Sequence, residues 1–290
     1  MPPPPIENLF VCVGAQKAGT TWLARVLEDH PEIFMTPVKE IHYFDHAAGI
    51  TNHLNRRRMR SRYRKYHQRM WTQWGRWKLH RSHWSWYGDY MRSPTDDAWY
   101  ASLFNHRQGR RFAGEITPEY AIIGREGYAH LARLAPSARV LFIMRNPVAR
   151  AWSNLLHECR SRNLDAAKLT TEEAVAILSE PKFEELGDYI RTLDNLAAVF
   201  AEEQLKAMFY EEIHKDRLAA LDEICTFIGI GFAPEHFPAL GERPNRSQEA
   251  RLTEPVRDYL QEHYRPLVRA IQQRLGRVPP EWSKEFALSP

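Results

Sequence analysis

The 290-residue sequence predicts an α/β fold, with a central parallel sheet of about five strands between two layers of helices. Short apolar runs recur along the chain, and stretches with helical spacing separate them. The first run also leads through a glycine-bearing loop into a helix, the start expected of strands joined by crossover helices. With 43% hydrophobic and 12% aromatic residues the chain can bury a sizeable core, which excludes disorder as a description of the whole.

The first strand is expected at Leu9 to Val13, after a proline-rich start. A helix follows over Thr21 to Asp29, with Trp22, Leu23, Val26 and Leu27 on one face. Further strands are expected at Ile33 to Met35, Phe112 to Ala113, Val140 to Met144 and Ala207 to Tyr210. Two helical stripes, Tyr189-Leu193-Leu196-Phe200 and Leu218-Leu221-Ile224-Ile228, are read as core-facing. A last helix over Thr253 to Leu275 is opened by Thr253-Glu254-Pro255 and closed by Gly276. With no internal repeat or long linker, residues 1–290 are read as one domain carrying an insert at about 49–94.

Cys12, Cys159 and Cys225 are odd in number and widely spaced in apolar stretches, so they read as buried free thiols and imply a reducing, cytoplasmic setting. No run approaches the roughly 18 apolar residues of a membrane span, and no signal peptide or anchor is read. The net charge of +4 conceals an asymmetry. Of the 40 Lys and Arg, 11 fall between His46 and Gly88, where there is no Asp or Glu; the other 29 face 36 acidic residues. The positive field is local.

Gly14-Ala15-Gln16-Lys17-Ala18-Gly19-Thr20-Thr21 joins the first strand to the first helix, where backbone N–H groups and the helix terminus can cradle a phosphate. The glycine spacing matches the nucleoside triphosphatase loop, but Thr20 follows Gly19 and the lysine lies upstream, at Lys17. The arrangement is P-loop-like with its metal-handling part altered. An ordinary strand-to-helix turn would need no cation at Lys17.

With this loop the sequence resembles the sulfotransferase superfamily, in which a Lys-x-Gly-Thr-Thr loop holds the phosphosulfate end of 3′-phosphoadenosine 5′-phosphosulfate (PAPS). The resemblance implies donor contacts from Gln16, Lys17, Ala18, Gly19, Thr20, Thr21 and Trp22. Arg145-Asn146-Pro147-Val148-Ala149-Arg150-Ala151-Trp152-Ser153 follows the strand ending at Met144, with Asn146 as a natural N-cap and Pro147 at the first helical position. Family members hold the donor 3′-phosphate with the residues matching Arg145 and Ser153; a forked cation and a neutral donor suit that dianion. Arg150 is read as a solvated or salt-bridged arginine.

Lys39-Glu40-Ile41-His42-Tyr43-Phe44 looks like the Lys-Glu-x-His-Phe-Phe segment of the carbohydrate and heparan-type branch, so the chain is expected to be a soluble, bacterial-like member of it. The resemblance implies Glu40 as the base, His42 as its partner or substitute, and Lys17 on departing adenosine 3′,5′-bisphosphate (PAP). Otherwise Glu40 is a surface carboxylate paired with Lys39, and His42 a hydrogen-bonded core histidine. Gly114-Glu115-Ile116-Thr117-Pro118-Glu119-Tyr120 resembles a further family segment, in which Glu115 and Tyr120 orient acceptor or loop, or serve structure alone. Ile116 and Gln16 stand where heparan-type members often carry Lys and Arg, which weakens the case for a heavily sulfated polysaccharide acceptor. Arg246, before the last helix, matches a basic loop over the bisphosphate. No metal cluster is read, and none is needed for this transfer.

In the insert, Met59, Tyr63, Tyr66, Met70, Trp74 and Trp77 recur at spacings of 4, 3, 4, 4 and 3, the stripe of a basic amphipathic helix. It either packs on the domain, covers a carbohydrate or small-molecule acceptor, joins a second copy of the chain, lies on an anionic membrane surface or touches nucleic acid, although no nucleic-acid partner is expected. The expected activity is sulfuryl transfer from PAPS to a hydroxyl or amine. The alternatives are a nucleotide or small-molecule kinase, and a non-catalytic protein binding nucleotide or nucleic acid.

Overall fold

The computed structural model describes residues 3–72, 77–107, 109–241 and 251–288. Among these, five strands form one parallel sheet: β1 (Leu9–Gly14), β2 (Ile33–Met35), β3 (Phe112–Ile116), β4 (Arg139–Met144) and β5 (Leu205–Phe209), in the order β2-β3-β1-β4-β5. Val11 lies opposite Glu115 on one side and Val140 on the other, and Ile143 lies opposite Met208. From β1 the chain runs to the far edge, returns through β3, then crosses to β4. Every strand therefore ends on the same edge of the sheet. The order reverses around β1, which opens a crevice at its carboxyl end, the place where such sheets bind ligands.

Leu9, Phe10, Val11, Cys12 and Val13 are wholly buried, because helices cover both faces; that is why the strand reads as a continuous apolar run rather than an alternating one. Strand β5 starts earlier than expected, at Leu205, and Tyr210 already belongs to the helix Tyr210–Lys215. In the helix Arg217–Ile228, Leu221, Ile224 and Ile228 face the core, but Leu218, placed in the same stripe from sequence, is 39% exposed in the first turn. The last helix spans Glu254–Leu275 with Thr253 at its N-cap and Gly276 beyond its end at φ +71, as its sequence signals predict. All three cysteines are buried free thiols. No helix among the described residues is long and apolar enough to cross a membrane.

The insert departs from its expected form. Instead of one helix from Met59 to Trp77 it contains two, Arg56–Thr72 and Trp77–Tyr90. Met59 is buried, Tyr66 packs against Tyr87 with ring centroids 4.2 Å apart, and Tyr63 stays 36% exposed. Trp74 lies outside the described residues, as do the side chains of Met70 and Trp77. The second helix anchors the pair: Trp86 is fully buried, stacks on Tyr90 at 5.1 Å and donates its indole N–H to the Leu103 carbonyl at 2.9 Å. Burying an indole with its one donor satisfied is a large apolar gain at no polar cost. Packing on the domain is thus met for this part of the insert. Arg56, Arg57, Arg58, Arg60, Arg64 and Lys65 remain exposed.

Candidate active site

The loop after β1 is shaped by its backbone. The Ala15 N–H continues the sheet by donating to the Ile143 carbonyl at 2.7 Å, after which Lys17 (φ +69) and Gly19 (φ +79) take left-handed conformations. Gly19 is required twice: by its φ, and because a Cβ there would lie 2.9 Å from Tyr210 Cε2 and 3.1 Å from His214 Cε1. The helix Thr20–Leu27 then starts, with Thr20 buried and Thr21 half-buried. Its free N–H groups and dipole make the loop a place for an anion.

Two further elements close on this loop. Arg145, at the end of β4, donates from Nη1 to the Lys17 carbonyl at 2.9 Å, and its guanidinium lies 4.8 Å from the Tyr210 ring centre. The Arg145 carbonyl accepts from the Tyr189 hydroxyl at 2.8 Å. Asn146 caps the helix Pro147–Ser161 as predicted, accepting from the Ala149 N–H at 3.1 Å, and Ser153 stands half-buried two turns along it. Trp22 is buried. Its N–H donates to the Leu240 carbonyl at 3.4 Å, and Arg217 and His214 flank its ring. Arg246 lies outside the described residues.

Arg150 corrects the sequence reading. It is 1% exposed, with Nη2 donating to the Tyr264 hydroxyl at 3.0 Å and, among the described residues, no carboxylate partner. Gly187 makes room for it, since a Cβ there would meet Nη2 at 2.5 Å. A guanidinium at the fourth position of an amphipathic helix is indistinguishable in sequence from an exposed one.

The segment after β2 brings the carboxylate. The Glu40 N–H donates to the Ile116 carbonyl at 3.1 Å, and Glu40 (φ +65) and His42 (φ +61) both lie in the left-handed region, strain that the surrounding contacts hold in place. Those contacts descend from buried Glu115. Its Oε1 accepts from the Tyr100 and Tyr120 hydroxyls and its Oε2 from Thr117 Oγ1 at 3.1 Å, and the Tyr120 hydroxyl in turn accepts the Tyr43 N–H at 3.0 Å. Glu115 and Tyr120 thus help to position the segment. Burial pushes the Glu115 carboxyl up to about 7, against its three hydroxyl donors.

Lys39 bonds to Glu40, and His42 Nε2 lies 3.8 Å from Glu40 Oε2, so Glu40 stands between the two side chains. Glu40 would be raised by burial, but hydrogen bonds from His42 and Lys39 and the Lys39 charge outweigh this and hold it well below the usual carboxylate range. His42 would be lowered by burial, but Asp45, bonded to Nδ1 at 2.8 Å, and Glu40 raise it to about 9, so it is a cation at neutral pH. The His53 ring stacks on His42 with centroids 3.9 Å apart and brings the insert to the edge of the site.

Lys17 links the two sides. Burial and the nearby charge of Arg160 lower its ammonium to about 8, while Glu40 and Glu119 oppose them. Sequence reasoning missed Glu119 and Asp45 as site members. Glu119 Oε1 accepts from Gln16 Nε2 at 3.0 Å, and Glu40, His42 and Glu119 each bring one ligand atom within 4.8 Å of the others. No short motif carries that cluster, because its members come from two separate strand ends.

The sheet's first strand ends in a lysine-bearing loop, with an arginine from the neighbouring strand beside it and a carboxylate across the crevice. The Sulfotransferase family model matches residues 10–234, and the chain belongs to that family. Among solved structures it resembles a sulfotransferase from Alicyclobacillus acidocaldarius, at 22% identity over 97% of this chain and 99% of that one, TM-score 0.62. It also resembles the sulfotransferase domain from the curacin biosynthetic pathway, at 14% identity over 97% of this chain and 100% of that one, TM-score 0.55. A Mycobacterium avium sulfotransferase is similar at 13% identity over 92% of this chain and 77% of that one, TM-score 0.52. No curated protein matches the sequence. The sulfotransferase family and its α/β fold are therefore as the sequence predicts.

Proposed function

We propose that this sulfotransferase uses PAPS as donor and transfers its sulfuryl group to a hydroxyl or amine of a small-molecule or carbohydrate acceptor. The observation that carries the reading is the convergence of Lys17, Glu40 and Arg145 at the carboxyl end of the sheet, with Arg145 bonded to the Lys17 backbone. The loop from Gln16 to Thr21 and Arg145 would hold the donor, with Ser153, Trp22 and Arg246 as further donor contacts taken from the family motifs. Lys17, Lys39 and Arg160 supply positive charge suited to a polyanion.

The acceptor oxygen or nitrogen attacks sulfur as the bond from sulfur to the phosphate oxygen breaks. The electron pair leaves with the phosphate, beside Lys17, and the acceptor proton passes to Glu40. A carboxylate held ionised suffices, because the acceptor proton becomes acidic only as the new bond forms. His42, already protonated, serves as partner to Glu40 and not as its substitute. The test is calorimetric titration with PAP, and with ATP plus magnesium, of wild type, Lys17→Ala and Arg145→Ala. Metal-independent PAP binding weakened in both variants supports the reading; binding of ATP alone overturns it in favour of a kinase.

A further inference from the structure

Glu119 follows Pro118 in the turn after β3 and is 8% exposed. Gln16 of the phosphate loop satisfies Oε1, whereas Oε2 is buried with no hydrogen-bond partner among the described residues. The groups facing this carboxyl are Glu40, His42 and Asp45 from the segment after β2, and Gln16 and Lys17 from the phosphate loop. A buried carboxylate oxygen without a donor is costly, and a second carboxylate lies within 4.8 Å. Glu119 is buried while the Glu40 side chain is 34% exposed, so a like charge at that separation disfavours ionising Glu119, the one shut away from solvent.

We propose that Glu119 is a positioning residue that shares a single proton with Glu40 and ties that base to the phosphate loop through Gln16. The proton sits on Glu119 at rest, because Glu40 has Lys39 and His42 as cationic partners and Glu119 is paired with a neutral amide. Burial and then the Glu40 charge raise the Glu119 carboxyl, in keeping with this division. Its unpartnered oxygen becomes a hydroxyl donor beside the base, and Glu40 remains the site's ionised carboxylate. A divalent cation on Glu40, His42 and Glu119 is the competing occupant, but Lys17, Lys39 and protonated His42 already supply the positive charge there.

The inference rests on the role given to Glu40 above, and infrared difference spectroscopy tests it without an acceptor. In chelator-treated protein at pH 7, subtracting Glu119→Gln from wild type should reveal one carboxylic-acid band that Glu119→Asp restores. In Glu40→Gln the same band should titrate at lower pH, since the like charge is gone; a purely structural Glu119 would not respond. A wild-type spectrum without that band, a titration unmoved by Glu40→Gln, or loss of the band on adding one equivalent of zinc overturns the proposal, the last in favour of a cation site. Calorimetry with PAP on the same samples separates the two readings: its failure removes the donor assignment and leaves the carboxyl titration standing.

Discussion

The two sides of the crevice are built from different materials. On the proposed donor side the shape comes from backbone: a strand end, two left-handed residues, a helix terminus and one arginine bonded to a main-chain carbonyl. On the proposed acceptor side it comes from side chains. Glu115 receives Tyr120, Tyr120 receives the Tyr43 N–H, and Asp45 holds His42, so Glu40 is placed by a chain of buried hydrogen bonds. Backbone cradles are written in short local motifs. Side-chain networks are assembled from residues far apart in sequence and leave no local mark.

The largest effects should separate the sides by what they abolish. Lys17→Ala should cost about 10²–10³-fold in transfer by removing the cation on the leaving group, and should weaken PAP binding as well. Glu40→Gln should cost about 10²–10⁴-fold in transfer with PAP affinity nearly intact. Calorimetry and PAP-release assays on the two variants check this, and equal loss of PAP affinity in both would dissolve the distinction.

Next come two substitutions of structure. Gly19→Ala puts a Cβ 2.9 Å from Tyr210 at φ +79 and should cost roughly 1–3 kcal/mol of stability together with PAP affinity. Tyr120→Phe strips Glu115 of one donor and the Tyr43 N–H of its acceptor, at about 1–3 kcal/mol, and should slow transfer while sparing PAP affinity. Urea unfolding and PAP titration measure both.

The pH dependences have opposite signs. Lys17 has a folded value lowered from 10.5 to about 8, so its ammonium costs stability below about 8, a cost relieved between there and 10.5. If PAP binds through that ammonium as proposed, affinity should fall as pH rises through about 8. His42 is raised from 6.5 to about 9; its stabilising contribution is complete below 6.5 and is lost as pH rises through about 9. Unfolding wild type and His42→Asn between those pH values should show the difference in stability closing as pH rises.

This contrast also governs how much the sequence disclosed. The parallel sheet, the phosphate loop, the Asn146 cap and the last helix were legible because each is a local pattern whose physical cause lies within a few residues. Arg150 was misread because burial of one guanidinium depends on Gly187 and Tyr264, far along the chain. Glu119 was overlooked because its partners, Gln16 and Glu40, reach it from other strand ends. The insert was read as a single helix because its aromatic stripe continues in period across residues 73–76, a segment outside those described.

The smallest effects should come from that insert, and they test whether the comparison needs a third region. Arg57, Arg60 and Arg64 are exposed on the helix Arg56–Thr72, just after His53, which stacks on His42. Each changed to Ala should alter stability by less than about 0.5 kcal/mol, as surface substitutions do. Their charges act on a bound anion only through solvent, where roughly 8 Å of physiological salt screens them, so PAP affinity should change less than about twofold in the triple variant. A larger loss that disappears at high salt would make the insert part of the donor side's electrostatic field, and the crevice would then owe its charge to both backbone and insert.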